Sequence, residues 1–169
     1  MTVSGLDLVG DPEAGRQKLG TMVPVALFRL LRLVGVMEGM KEIAGRGANA
    51  IIYRGGKNLG KNVGEKILQT TGKNLDKFLE EIVKTCKEFG IGLLSISELD
   101  LNKGIIKIRV DECVTCSGMP NVGQVVCHFE GGLIGAIIEK FTERKVTVTE
   151  VECCGKGDTA CVFEIVLAQ

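Results

Sequence analysis

The segment "KVTVTEVECCGKGDTACVFEIVLA", residues 145–168, decides the fold. Its two flanks alternate apolar and polar residues with a period of two, the pattern of half-buried strands. Between them, "CCGKGD" supplies the glycines and aspartate that a tight loop requires. The segment therefore predicts a β-hairpin with Cys161, Phe163, Ile165 and Leu167 on one face. Cys153 and Cys161 stand at the two ends of the loop, where strand pairing brings their side chains near each other.

Upstream, "NVGQVVCHFEGGLIGAIIEKFTER" (121–144) repeats Val122, Val125, Val126, Phe129, Leu133, Ala136 and Ile137 at helical spacing. Before it, "IGLLSISELD" and "GIIKIRVDEC" read as two strands joined by "DLNKG", with Ile106, Ile108 and Val110 alternating against Lys107 and Arg109. "NLDKFLEEIVKTCKEFG" is an amphipathic helix. Asn74 caps it, Leu75, Phe78, Leu79, Ile82 and Val83 form its apolar stripe, Cys86 joins the core as a small hydrophobe, and Gly90 stops it.

The N-terminal part is helical in a different way. In "MKEIAGRGANAIIYRGGKNLGKNVGEKIL" Gly56, Gly60 and Gly64 recur every fourth residue. Each interior glycine costs a helix about 1 kcal/mol relative to alanine, so such a row marks the close approach of a neighbouring backbone or of a bulky ligand. Close helix packing is the simpler reading. "GRGANA" half-matches a dinucleotide fingerprint but follows a helical pattern and not a strand. From Met22 to Met40, Leu27, Leu30, Leu31 and Val34 recur at helical spacing, and Leu33, Val36 and Met37 widen the apolar surface beyond one stripe. A second subunit is a natural cover for it, which predicts a homodimer. Residues 1–21 read as an arm and 22–169 as one α+β domain: N-terminal helices, then ββαββ, with an antiparallel sheet covered by helices.

Composition narrows the function classes. The chain has 169 residues, 45% hydrophobic and 25% charged, enough for one core without disulfides. Its 21 basic and 21 acidic residues cancel, leaving no electrostatic reason to expect nucleic acid. The N-terminus lacks a basic signal-peptide start, and "MVPVALFRLLRLVGVM" is too short for a membrane span and contains Arg29 and Arg32. A cytoplasmic location is the expectation. There, seven cysteines serve as thiols or metal ligands and not as a disulfide framework.

Five of those cysteines converge once they are placed on the predicted elements. Cys113 and Cys116, in the C-x-x-C of "CVTC", follow a strand; Cys127 lies in the first turns of the last helix; Cys153 and Cys161 flank the hairpin loop. Zinc takes about four such ligands in a tetrahedron, and a helix N-terminus favours the thiolate of Cys127. The C-x-x-C spacing equally suits an iron–sulfur site or a redox pair. Cys154, adjacent to Cys153, cannot easily face the same point. His128, the only histidine, could be a ligand, an acid–base group or a surface residue.

The patterns "VTEVECCGKGDTACVFEI", "VCHFEGGLIGAIIEKF" and "IAGRGANAIIYRGG" resemble the 4-vinyl reductase domain, especially its small stand-alone archaeal members. The likeness spans roughly residues 25–168, and its most specific part is Cys153, Gly157, Asp158, Cys161 and Phe163. It implies a fold similar to the ligand-binding domains of nitric-oxide signalling and Golgi transport proteins, with an apolar pocket between helices and sheet and a tendency to dimerise. It also implies an aromatic-effector sensor with a structural zinc held by Cys127, Glu150, Cys153 and Cys161, to which Cys113 and Cys116 are possible alternates. In a regular strand Glu150 and Cys153 point to opposite faces, so both reach one ion only where the strand bends or ends.

The resulting expectation is a module that binds a small hydrophobic molecule against Ile52, Tyr53, Phe129, Leu133 and Ile137, with Ile51 beside them, and is stapled by zinc. Any sensing output would pass through an unidentified protein partner. The alternative is a metal- or thiol-dependent redox enzyme, with an iron–sulfur cluster, acting on a tetrapyrrole vinyl group or similar substrate. No nucleotide-binding fingerprint or acid–base pair supports that reading from the residues themselves.

Overall fold

The computed structural model describes residues 9–168, so residues 1–8 of the expected arm lie outside the description. Pro12–Gly15 is one short helical turn, α1, with Asp11 Oδ1 accepting from the Ala14 amide. Next come α2 (Val25–Arg29), a loosely wound π-helical stretch (Leu30–Glu38) and α3 (Gly39–Ala44), which together form one continuous rod. A 3₁₀ turn at Gly45–Gly47 breaks the long glycine-rich segment and starts α4 (Ala48–Thr71). No strand precedes "GRGANA" among the described residues, so the dinucleotide fingerprint has no structural context.

Helix α5 (Leu75–Glu88) is capped as its sequence requires, with Asn74 Oδ1 accepting from the Lys77 amide at 3.0 Å. Phe78, Ile82 and Cys86 form its buried side. The strands β1 (Leu93–Asp100), β2 (Ile105–Asp111), β3 (Val146–Glu152) and β4 (Cys161–Leu167) make one antiparallel sheet in the order β1-β2-β4-β3. Ile106, Ile108 and Val110 of β2 and Cys161, Phe163, Ile165 and Leu167 of β4 are buried together on the helix-covered face. This is the α+β architecture that the alternation predicts.

Helix α6 (His128–Thr142) crosses α4 at contact distance. A β-carbon on Gly56 would lie 2.0 Å from the Phe129 carbonyl oxygen, and one on Gly60 2.3 Å from that of Leu133. The approach is reciprocal, since a β-carbon on Gly132 would lie 2.1 Å from the Tyr53 carbonyl oxygen. The four-residue spacing of glycines is therefore the seam of a backbone-to-backbone helix contact.

The last helix begins later than its apolar period suggests. Residues 121–127 run as a non-helical segment against the hairpin loop, with the Val122 amide donating to the Gly155 carbonyl at 2.8 Å and Gly123 in the left-handed region (φ +73°). Cys127 is the N-cap of α6, not a residue of its first turns. Val122, Val125 and Val126 match a helical period because they pack on neighbouring loops, which a one-dimensional pattern cannot distinguish from a helix face.

Candidate metal centre

Three chain segments deliver the cysteines to one corner of the sheet. After β2, the Cys113 carbonyl accepts from the amides of Cys116 (3.2 Å) and Ser117 (2.9 Å), folding "CVTC" into a knuckle. Cys127 reaches the same point from the start of α6. Cys153 and Cys161 come from the two ends of the hairpin, and the Cys153 amide is held by Asp158 Oδ2 at 2.8 Å. Gly157 (φ +96°) lets this loop close against Asn121, whose Nδ2 would lie 2.7 Å from any β-carbon there.

Glu150 joins them because strand β3 is irregular. The pairing register with β4 shifts between Glu150 and Glu152, and the strand ends at Glu152. The bulge and the strand end place Glu150 and Cys153 at the same centre, the condition that a regular strand would not meet. Glu150 Oε2 accepts from the Cys127 amide at 3.0 Å. Its Oε1 is buried, and among the described residues it is the one such side-chain oxygen or nitrogen without a hydrogen-bond partner.

The sulfurs crowd together. Cys113 lies 3.6 Å from Cys127, Cys116 3.2 Å from Cys161 and 3.4 Å from Cys127, Cys127 3.7 Å from Cys161, and Cys153 4.0 Å from Cys116. Sulfurs at the corners of a zinc tetrahedron stand about 3.8 Å apart, from a Zn–S bond near 2.3 Å. Two sets of four donors each fall within 4.8 Å of one another: Cys113, Cys116, Cys127 and Cys161, and Cys127, Glu150, Cys153 and Cys161. All five cysteines are fully buried. Cys154 and His128 belong to neither set.

Without a cation the donors compete for protons. Burial, and then the Cys153 thiolate beside it, pushes the Glu150 carboxyl up to about 9. Hydrogen bonds from Cys116 first, and then from Cys127 and Cys161, pull Cys153 down. Cys127 is pushed up, chiefly by Cys113 and then by the other sulfurs around it. Neighbouring sulfur charge thus outweighs the helix N-terminus that would favour this thiolate. A divalent ion reverses the competition, since it takes thiolate and carboxylate ligands and releases their protons.

A second layer of contacts, not foreseen from the sequence, ties the N-terminal rod to this corner. Arg29 Nε donates to the Val114 carbonyl at 2.7 Å, and its Nη2 donates to Ser117 Oγ at 3.1 Å. Arg32 makes a two-pronged ion pair with Glu130, which also accepts from Thr115 Oγ1 at 2.7 Å. Glu130 and Thr115 are buried, and Thr115 is a central residue of the knuckle. The one sequence signal was two arginines inside an otherwise apolar helix. Replacing Arg29 with methionine should lower stability by about 1–3 kcal/mol through lost charge-assisted hydrogen bonds, read as a shift in urea midpoint with an unchanged slope.

The expected pocket residues gather at the α4–α6 contact. Ile52, Leu133 and Ile137 are buried, and Tyr53 and Phe129 are partly so. The Phe129 ring lies under the Arg32 guanidinium, 4.8 Å from it. An open groove of about 760 Å3 lies elsewhere, between α5 and β1, lined by Leu79, Val83, Lys84, Lys87 and Ile96 among others. No described helix is long and apolar enough to cross a membrane.

An antiparallel four-stranded sheet backed by closely crossed helices, with a buried thiolate and carboxylate cluster at one corner, defines the class. The family model of the 4-vinyl reductase domain matches residues 106–167. An uncharacterised protein of Methanocaldococcus jannaschii is 37% identical, over 93% of this chain and 83% of its own length. The chain belongs to the 4-vinyl reductase domain family. Among solved structures, a vinyl-4-reductase family protein from Methanocaldococcus jannaschii aligns with a TM-score of 0.59 at 24% identity, over 90% of this chain and 86% of that one. The phenol-responsive sensory domain of the transcription activator PoxR, solved with phenol, aligns with a TM-score of 0.69 at 17% identity, over 88% of this chain and 76% of that one.

Proposed function

We propose that this chain is a small-molecule-binding module of the sensor type whose C-terminal half is stapled by a thiolate-bound metal, with zinc as the metal. The observation that carries the metal reading is the convergence of five buried sulfurs and an unpartnered carboxylate oxygen. Zinc suits the donors because it takes sulfur-rich tetrahedral sites without redox chemistry. A cubane iron–sulfur cluster puts each thiolate on a different iron and so spreads the sulfurs more widely than the 3.2–4.0 Å found here.

The ligand reading draws support from likeness to the phenol-responsive domain. A small apolar or aromatic molecule would seat beside Phe129 and Tyr53, with Ile52, Leu133 and Ile137 as the wall, beneath the rod of α2 and α3. That rod is fastened by the arginine clamps and leaves Leu27, Leu30, Leu31 and Val34 exposed. A second copy of the chain would cover those side chains, giving a homodimer of cytoplasmic location.

Two measurements test this reading. Sedimentation of the intact chain should give a dimer that Leu30→Glu with Leu31→Glu converts to monomer; a monomeric wild-type chain would remove the dimer. Isothermal titration with phenol and larger alkylphenols should give saturable binding, weakened about tenfold or more by Phe129→Ala, given that burying one aromatic ring contributes about 1.5–3 kcal/mol. Absence of heat and of any thermal shift across the series would remove the aromatic-ligand reading.

A further inference from the structure

We infer that the corner holds two metal ions and not one, bridged by the sulfurs of Cys127 and Cys161. Cys113 and Cys116 complete the first ion; Cys153 and Glu150 complete the second. The inference rests on the metal-binding reading above and specifies its stoichiometry.

The donor count is the first argument. The two four-donor sets share two members, Cys127 and Cys161, and together contain six donors. Two tetrahedral ions that share an edge need six donors, which is the number present. A single ion leaves a buried pair with no task. Bound by the first set, it leaves Cys153 and Glu150, whose Oε1 has no partner in the protein. Bound by the second, it leaves Cys113 and Cys116, although these lie 3.6 Å and 3.2 Å from the shared sulfurs of Cys127 and Cys161.

Each outer pair is also held in place independently. The knuckle's own backbone hydrogen bonds and the Arg29 clamp fix Cys113 and Cys116. Asp158 fixes Cys153, and the Cys127 amide fixes Glu150. The two shared sulfurs stand 3.7 Å apart, both fully buried between those pairs. One adjustment accompanies loading. The sulfurs of Cys116 and Cys153, 4.0 Å apart, belong to different ions and move away from each other.

Charge favours the pair of ions. Four thiolates around one divalent ion carry a net charge of −2. Five thiolates and a carboxylate around two divalent ions also carry −2. The second ion therefore employs the two remaining donors in their ionised form without adding net charge to a buried site.

The test is metal stoichiometry on the full chain, purified without oxygen, stripped of metal and titrated with cobalt(II). The thiolate-to-cobalt band should grow to a break at two equivalents per chain. The cobalt electron-spin signal should rise to one equivalent and fall towards two, as bridged ions couple through sulfur. A break at one equivalent, with the spin signal retained, overturns the two-ion centre and leaves the metal-binding reading intact. No thiolate-to-cobalt band overturns both. As a second measurement, Cys113→Ser/Cys116→Ser and Cys153→Ser/Glu150→Gln should each fall from two zinc ions to one. Retention of the wild-type content by either variant overturns the inference.

Discussion

Replacing Gly56 with alanine is expected to cost about 2–3 kcal/mol, while the same change at its neighbour Gly55 stabilises the protein by up to about 1 kcal/mol. The two sites share a helix and gain equally in helix propensity. They differ in what the new β-carbon meets. At Gly56 it falls 2.0 Å from the Phe129 carbonyl oxygen and 2.9 Å from the Leu133 amide nitrogen, backbone atoms of α6 that move only if the whole helix moves. At Gly55 it meets the Phe129 ring at 3.7 Å, an ordinary contact. For a domain of this size about 1 kcal/mol shifts the melting temperature by roughly 2–4 °C. Scanning calorimetry should therefore separate the two variants by on the order of 10 °C, with Gly55→Ala above the wild type.

The second large effect is expected at Cys161. Cys161→Ser removes a sulfur that both donor sets use, so it should release bound metal and lower the melting temperature by on the order of 10–20 °C. The scale follows from structural zinc binding, worth about 10 kcal/mol or more in small domains, of which losing a shared ligand forfeits about half. Cys154→Ser is the control, because Cys154 neighbours Cys153 in sequence but belongs to neither donor set. It should keep its metal and melt within a degree or two of the wild type. Equal metal content and melting in Cys161→Ser and the wild type would remove the corner from any structural role.

The sheet was legible from the sequence because its face is buried on one side only. Ile106, Ile108 and Val110 alternate with charged residues, and the residues around Phe163 and Ile165 alternate in burial, which a period-two pattern records directly. The glycine seam was legible because steric need imposes the same four-residue spacing on the chain as on the contact. The start of α6 was not, since Val122, Val125 and Val126 are apolar for reasons of loop packing. Of the metal corner, the convergence of Cys127, Cys153 and Cys161 follows from hairpin pairing. The place of Glu150 depends on a strand irregularity that no residue type announces. The clamps of Arg29 and Arg32 join residues more than 80 positions apart, and only the fold brings those partners together.

These clamps give the metal corner a consequence for the rest of the chain. The knuckle that presents Cys113 and Cys116 also presents the Val114 carbonyl to Arg29 and the Thr115 hydroxyl to Glu130. Loss of metal from the knuckle should therefore loosen the rod that lies over Phe129, and with it the proposed ligand site.

The most direct test of the account follows thermal melting of one anaerobic sample as isolated, after chelation, and after zinc is returned. The account predicts zinc in the isolated protein with no visible absorption band, a fall in melting temperature on the order of 10 °C after chelation, and full recovery with zinc. A chain that is isolated without metal and whose melting temperature zinc does not change would contradict it.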